Sequence, residues 1–96
     1  MVEDNIHKII NARPEDFNHQ PLVKALLLDR AGNWQGAHEI AQDQKNLSGD
    51  LIHAYLHRKE GDIANADYWY SRAKAKRPSC SLEEEWLLIL KKIAIN

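Results

Sequence analysis

A helix–turn–helix pattern occurs twice in this chain of 96 residues, and it constrains the fold more than any other feature. The first copy reads Ala25-x6-Gly32-Asn33-x3-Ala37-x3-Ala41, and the second, 29 residues later, reads Ala54-x6-Gly61-Asp62-x3-Ala66-x3-Tyr70. A glycine followed by Asn or Asp is typical of one helix ending and the next being capped. Small residues recur where paired helices must approach closely. The repeat therefore predicts two antiparallel helical hairpins.

Apolar residues at helical spacing extend this prediction along the rest of the chain. Period-two alternation, the mark of a half-buried strand, is absent from the sequence. The expected fold is all-α, with a further turn around Pro14–Phe17. Six helices are predicted: Val2 to about Asn11, a helix starting at Pro21, a helix starting at Trp34, Leu51–Glu60, Ile63 to about Lys76, and a helix starting at Leu82. A turn over 45–49 and a cap at Asp50 precede the helix Leu51–Glu60.

The second copy of the pattern resembles the tetratricopeptide repeat, and the likeness extends over about 60 residues, 21–78. It is carried by the small residue of the first helix, the turn, the second helix and a closing proline: Ala54, Gly61-Asp62, Ala66-x3-Tyr70-x2-Ala73 and Pro78. The pattern departs from the family at Asp50, His53 and His57, where Trp, Leu and Tyr are usual. The resemblance implies a right-handed superhelical stack of hairpins that binds a protein or peptide.

A second resemblance concerns the segments 53–62 and 65–70. Together they are similar to a recurrent sequence in uncharacterised small bacterial proteins, which implies a bacterial origin and no particular activity. The length of the chain predicts one domain, which the helix pattern divides into four parts. These are a capping helix and connection (1–20), a first hairpin (21–49), a second hairpin (50–78) and a C-terminal capping helix (79–96).

Composition excludes several functional classes. Thirteen Lys and Arg against fourteen Asp and Glu leave a net charge of −1, without the basic excess of a nucleic-acid-binding protein. The longest apolar run, Trp86–Leu90, is far shorter than the roughly 20 residues of a membrane span. Cys80 has no second cysteine to pair with, which fits a reducing compartment. We therefore expect a cytoplasmic protein with no nucleic-acid or membrane partner.

The histidines are the side chains with the most chemical potential. His53 and His57 lie four residues apart, so both project from one helix face and could chelate a transition metal. A site needs a third ligand, but no metal motif fixes its position, and the candidates are His38, Glu39, Glu60 and Asp62. We predict no metal and no cofactor, with His38, His53 and His57 as the alternative. Histidines packed between helices are the simpler interpretation.

No catalytic motif is recognisable, so the primary hypothesis is a non-enzymatic helical-repeat module that binds a protein or peptide. Aromatic and Arg side chains are enriched at binding hot spots. The predicted binding surface accordingly consists of His53, Tyr55, His57, Arg58 and Trp69, and we expect Tyr55, Arg58 and Lys59 to be exposed along the fourth helix. The alternative is a small enzyme or ligand-binding protein using a His/Tyr/Trp pocket around His53 and His57.

The last helix carries more apolar surface than one internal contact can bury. One stripe is formed by Leu82, Trp86, Ile89, Leu90 and Ile93, and Leu87, Leu88 and Ile95 lie beyond it. Surplus apolar surface on a terminal helix is typical of an interface, and two-fold dimers are the commonest closed assembly. The sequence therefore predicts a homodimer. The alternative is that the first helix folds back and covers this surface within one chain.

Overall fold

The computed structural model describes residues 2–94, with side chains from residue 5 onward, so Met1, Ile95, Asn96 and the side chain of Val2 lie outside it. Within that range the chain is helical and contains no strand, which confirms the all-α prediction. The helices are α1 (Val2–Ile10), α2 (Pro21–Arg30), α3 (Trp34–Asp43), α4 (Leu47–Glu60), α5 (Ile63–Arg72) and α6 (Leu82–Ala94), with a 3₁₀ turn at Pro14–Phe17.

The two predicted turns join α2 to α3 and α4 to α5. Gly32 and Gly61 have φ angles of 91° and 92°, a left-handed conformation that favours glycine. Asn33 caps α3 by accepting a hydrogen bond from the Gly36 amide at 2.8 Å, and Asp62 caps α5 in the same way. Local sequence alone is sufficient to explain both turns, and the structure confirms them.

The start of α4 differs from the prediction. The helix begins at Leu47 rather than Leu51, because Asn46 provides the cap by accepting from the Gly49 amide at 2.7 Å. Gly49 is buried inside the first turn. A Cβ atom there would lie 2.3 Å from the Gln44 carbonyl oxygen, so glycine permits this close approach. Most of the segment 45–49, predicted as a turn, is thus helical.

The end of α5 also differs, because the helix stops at Arg72 instead of continuing to Lys76. Lys74 adopts φ 57°, and the Ala75 amide donates to the Tyr70 carbonyl at 2.9 Å. This pairing is the left-handed helix ending that glycine usually supplies. Among residues 2–94, Lys74 is the only non-glycine residue with a positive φ.

Helix α4 lies at the centre of the molecule and packs against α2, α3, α5 and α6. Residues 52–57 are all buried, which explains why this segment shows no single apolar stripe. Its apolar side chains Ile52 and Leu56 join a core with Leu26 and Trp86. The polar side chains of the same helix must therefore find partners inside the protein.

Helix α6 lies across α2 and α4 and closes the face formed by the first helices of the two hairpins. Trp86 is buried there and donates its indole N–H to the Leu26 carbonyl at 3.0 Å, while Arg30 covers the ring. Helix α1 packs against α6 and buries Ile6 in the same core. Much of the apolar surface of the last helix is thus covered within one chain.

Two buried carboxylates hold α4 on the side that faces α2 and α6. Asp29 of α2 accepts hydrogen bonds from the Tyr55 hydroxyl at 3.1 Å and the Lys59 ammonium at 2.8 Å. Burial, followed by the Asp29 charge, raises the pKa of Tyr55 above its ordinary value. The phenol therefore remains a hydrogen-bond donor at neutral pH.

Glu85 of α6 is the second buried carboxylate. It accepts from the Tyr70 hydroxyl and from the Arg58 guanidinium, each at 2.6 Å. Arg58 also donates to the Cys80 carbonyl, so one guanidinium connects α4, α6 and the loop before α6. Breaking a buried pair by removing one partner typically costs 3–5 kcal/mol, so these contacts hold α6 in place.

We predict that Lys74→Gly is more stable than Lys76→Gly by about 1–2 kcal/mol, because the left-handed conformation costs a side-chain-bearing residue about that much. The measurement is the free energy of unfolding from urea denaturation. Lys76→Gly is the matched control: it lies in the same loop without a positive φ, and glycine there increases only the entropy of the unfolded chain. A loss of stability in Lys74→Gly equal to that of the control would contradict this helix ending.

Candidate functional site

Three histidines meet where α3 packs on α4. His38 comes from α3, and His53 and His57 come from α4. The ring centroids are 4.6 Å apart for His38 and His53, 5.2 Å for His38 and His57, and 4.8 Å for His53 and His57. One ring nitrogen from each histidine lies within 4.8 Å of those of the other two. We call these three residues the histidine cluster.

The position of His38 follows from the packing of α3. Ala37 and Ala41 are fully buried against the core, and their small side chains let α3 approach α4 closely. His38 follows Ala37 in the sequence and is half-buried, whereas His53 and His57 are buried. The cluster therefore has a buried floor on α4 and a more accessible edge on α3.

Two tryptophans hold the outer rings of the cluster. Trp34 stacks on His38 with centroids 4.9 Å apart, and Trp69 of α5 stacks on His53 at 3.9 Å. The Trp34 indole N–H also donates to the Leu56 carbonyl at 2.9 Å, which fixes this ring to α4. Both indoles cover the flat faces of the imidazoles, so the nitrogen-bearing edges stay uncovered by these stacks.

His57 makes the hydrogen bonds of the cluster. Its Nδ1 atom lies 2.6 Å from the Glu60 carboxylate, and its Nε2 atom lies 3.4 Å from the side-chain amide nitrogen of Asn65. In the assignment that fits both contacts, Nδ1–H donates to Glu60 and Nε2 accepts from Asn65. A carboxylate behind a histidine in this way sets which ring nitrogen faces the cluster.

His38 and His53 are neutral at pH 7. Burial, followed by the positive charges that His38 and His57 would carry, lowers the pKa of His53 to about 4. Burial also lowers the pKa of His38, followed by the effect of His57, while Glu60 and Glu39 oppose the shift. A neutral imidazole keeps one nitrogen lone pair available for a ligand.

The predicted binding surface is divided between different sides of α4. His53, His57 and Trp69 do lie together, in and beside the histidine cluster. Tyr55 is only 3% exposed and faces Asp29, and Arg58 is held against α6. The expectation that Tyr55 and Arg58 are exposed was wrong, because Tyr55 is buried and bonded to Asp29 of α2 and Arg58 is bonded to Glu85 of α6. Lys59 is exposed, as expected, with its ammonium on Asp29.

Two residues of the cluster's surroundings were missed in the sequence. Trp34 precedes His38 by four residues on the same helix, a spacing that places both on one face. That signal was available. Asn65 lies just after the turn between α4 and α5, and its contact with His57 depends on how the hairpin closes. No sequence pattern indicated it.

A surface groove adjoins the cluster at Trp69. It lies between the α3–α4 connection and α5 and has a volume of about 340 Å³. Leu47, 49% exposed, and Trp69 provide its apolar surface, and the Arg72 guanidinium lies 5.3 Å from the indole centroid. The full lining, which we call the Trp69 groove, is Gln42, Gln44, Lys45, Asn46, Leu47, Asp50, Trp69 and Arg72.

Comparison with known proteins gave no match: no family model fits the chain, and no curated protein or solved structure is significantly similar to it. The resemblance to the tetratricopeptide repeat thus stays a prediction. Across residues 2–94, each helix is too short or too polar to cross a membrane.

We predict that the metal-free protein loses stability as the pH falls from about 6.5 to about 4. The unfolded chain binds a proton at His53 near the ordinary pKa of about 6.5, whereas the folded chain resists protonation down to a pKa of about 4. Acidification therefore favours the unfolded state. Free energies of unfolding in urea, measured with a chelator at several pH values in this range, test the prediction.

The control for this pH dependence is a pair of variants. His53→Gln removes one titrating group and should reduce the pH dependence, whatever its effect on stability at neutral pH; His38, whose pKa is also lowered, keeps a part of it. His19→Gln alters an exposed histidine and should keep the slope of the unmodified protein. An equal slope in His53→Gln and the unmodified protein would show that His53 is not responsible.

Proposed function

We propose that this chain is a non-enzymatic helical module that binds another protein through the Trp69 groove. The observation that carries the proposal is the combination of an exposed leucine, an indole and a guanidinium in one concave surface. Aromatic and Arg side chains dominate the energetics of protein interfaces, and a volume near 340 Å³ is within the range of pockets that accept a ligand group.

The aromatic side chain that lines the groove is held in position in the absence of a partner. The inner face of Trp69 stacks on His53, so the indole is fixed without a partner. Arg72 lies over the same indole and 3.4 Å from the Tyr68 hydroxyl, and Tyr68 is itself 54% exposed. Little side-chain freedom is lost when such a surface binds, which increases affinity.

Charge indicates what kind of segment the groove accepts. Lys45 and Arg72 are both exposed cations at its edge, against one half-buried acid, Asp50. We infer a peptide segment with an aliphatic anchor for Leu47 and Trp69 and a carboxylate for the two cations. The helical-repeat architecture, a bacterial origin and a cytoplasmic location belong to the same proposal. The two capped hairpins support the helical-repeat architecture. The segments 53–62 and 65–70 support a bacterial origin, and the single cysteine supports a cytoplasmic location.

Selection from a displayed random-peptide library tests this function. We expect enriched peptides that combine an aliphatic residue with Asp or Glu. Leu47→Asp and Arg72→Glu should each weaken binding of such a peptide about tenfold or more, as for interface residues worth at least about 1.4 kcal/mol. Leu88→Asp is the matched control, because it alters an exposed leucine on α6 outside the groove.

Titration calorimetry with the enriched peptide measures these affinities, and circular dichroism checks that each variant is folded. Failure to enrich any peptide, or peptides that bind Leu47→Asp and Arg72→Glu as tightly as the unmodified protein, would contradict the Trp69 groove as the binding site. Equal weakening in Leu88→Asp would place the binding surface on α6 instead.

The alternative function is a small enzyme or ligand-binding protein, and the tyrosine predicted for its pocket does not lie there. The Tyr55 hydroxyl is committed to Asp29 and lies apart from the histidine cluster. A pocket built on His53 and His57 would instead use His38, Trp34 and Trp69, which supply ring nitrogens and flat apolar faces. Such a set is suited to holding a ligand rather than to general acid–base transfer through a phenol.

Self-association is a second candidate role, and one observation favours it. Leu88 of α6 is 59% exposed and lines the edge of a small groove of about 150 Å³ with Leu51, Pro78 and Ile89, and the groove also contains Tyr70, Lys76, Glu85 and Lys92. An exposed side chain next to a groove is self-complementary, because a two-fold partner can insert its Leu88 into the groove and receive one in return. Burying one leucine in this way contributes roughly 1.5–3 kcal/mol.

Light scattering coupled to size-exclusion chromatography tests the dimer. We expect a mass near twice the 11.1 kDa of one chain at micromolar concentrations, reduced to one chain by Leu88→Glu with helicity retained. Leu47→Glu, at the other exposed leucine, should keep the dimer. A mass of one chain for the unmodified protein would contradict self-association.

A further inference from the structure

The histidine cluster contains nitrogen atoms that the protein itself does not use. Among residues 5–94, the ring nitrogens of His38 and His53 have no hydrogen-bond partner, in contrast with both nitrogens of His57. In the same part of the chain no buried side-chain nitrogen lacks a partner, so these ring nitrogens border solvent. The unused lone pairs of His38 and His53, together with Nε2 of His57, form a donor set for a metal ion.

We propose that His38, His53 and His57 bind a divalent transition-metal ion of the zinc type, with a fourth position open to water or a ligand. Three imidazoles without a thiolate favour Zn²⁺, Cu²⁺ or Ni²⁺ over Mg²⁺ or Ca²⁺, which require oxygen ligands. The sequence predicted no metal because a third ligand was not fixed by spacing. In the folded chain His38 is that ligand, placed by the packing of α3 on α4.

The distances are close to those that coordination requires. Tetrahedral ligands at about 2.0–2.1 Å from zinc lie about 3.3 Å from each other, and the three nitrogens now lie within 4.8 Å. A contraction of about 1.5 Å is needed at most. His38 is half-buried and lies at the accessible edge, so rotation of its side chain can supply much of this movement while α4 stays in place.

The surroundings orient the rings for binding. A metal bonds in the plane of an imidazole, and the two tryptophans cover only ring faces. Glu60 accepts from Nδ1 of His57, which leaves Nε2 as the ligand atom and gives the carboxylate–histidine pair that supports many metal sites. The ion would replace the 3.4 Å contact between His57 and the Asn65 amide.

A neighbouring group of possible ligands is a weaker site. His57, Glu60 and Asp62 also bring one ligand atom each within 4.8 Å. Both carboxylates are exposed, however, and Asp62 is occupied as the cap of α5. Exposed acids of this kind are common without a metal, and Glu60 is already bonded to His57. We therefore assign Glu60 to the support of the site and not to direct coordination.

Calorimetric titration of Zn²⁺ into tag-free, chelator-stripped protein tests the proposal. We expect one equivalent of bound zinc and a raised melting temperature. His38→Ala should weaken zinc binding about 100-fold or more. Removal of a residue that only supports a ligand typically weakens it about 10–100-fold. His7→Ala and His19→Ala are matched controls at exposed histidines outside the cluster and should leave the affinity unchanged.

Two further variants separate coordination from folding. His38→Phe keeps an aromatic ring to stack on Trp34 but removes the nitrogen, so it should retain the helicity of the unmodified protein and lose zinc binding. Glu60→Gln should keep one equivalent of zinc with an affinity lowered about 10–100-fold. Cobalt substitution should produce the visible ligand-field bands of a tetrahedral ion, and these bands should be missing in His38→Phe.

Three results would overturn the proposal. The first is less than about one tenth of an equivalent of bound zinc, well below the occupancy of a specific site. The second is unchanged zinc affinity in folded His38→Phe. The third is equal loss of binding in His7→Ala or His19→Ala. Peptide binding at the Trp69 groove is measured in the presence of chelator, so the two proposals succeed or fail separately.

Discussion

The burial of α4 is the constraint on which the rest of this structure depends. Four other helices surround it, and six consecutive residues, 52–57, are buried. Polar side chains of this buried segment need partners in the interior or a remaining contact with solvent, because an unpaired buried polar group typically costs about 1–3 kcal/mol. Those partners come from the helices that pack around α4, namely α2, α3, α5 and α6.

The two sides of α4 meet this requirement differently. Toward α2 and α6, Tyr55 and Arg58 bond to the buried carboxylates Asp29 and Glu85, and the charges and hydrogen bonds are satisfied within the protein. Toward α3 and α5, His53 is neutral, stacked on Trp69, and has ring nitrogens left for a ligand. The first side is a structural network. The second has the features of a site, since its rings are fixed while its donor atoms remain available.

Trp69 connects the two surfaces to which we assign functions. One face of its indole packs on His53, and the groove formed with Leu47 and Arg72 adjoins the ring. Movement of His53 toward a metal ion would displace the Trp69 indole, which lines the groove, because only 3.9 Å separates the stacked centroids. Coupling between two sites needs a physical element shared by both. Here that element is one side chain, and zinc titrations with and without a bound peptide would measure the coupling.

The sequence by itself determined the features that depend on neighbouring residues. These are the all-helical fold, the turns at Gly32 and Gly61, and the shared helix face of His53 and His57, because caps, positive φ angles and helical periodicity act within a few residues. It misplaced the start of α4 and the end of α5, where Asn46 competed with Asp50 as the cap and Lys74 adopted a conformation usual for glycine. Only the tertiary structure decided that His38 joins the other two histidines and that Tyr55 is buried against Asp29 of α2. Both depend on which helix faces pack together, and that is set by the whole core rather than by any local segment.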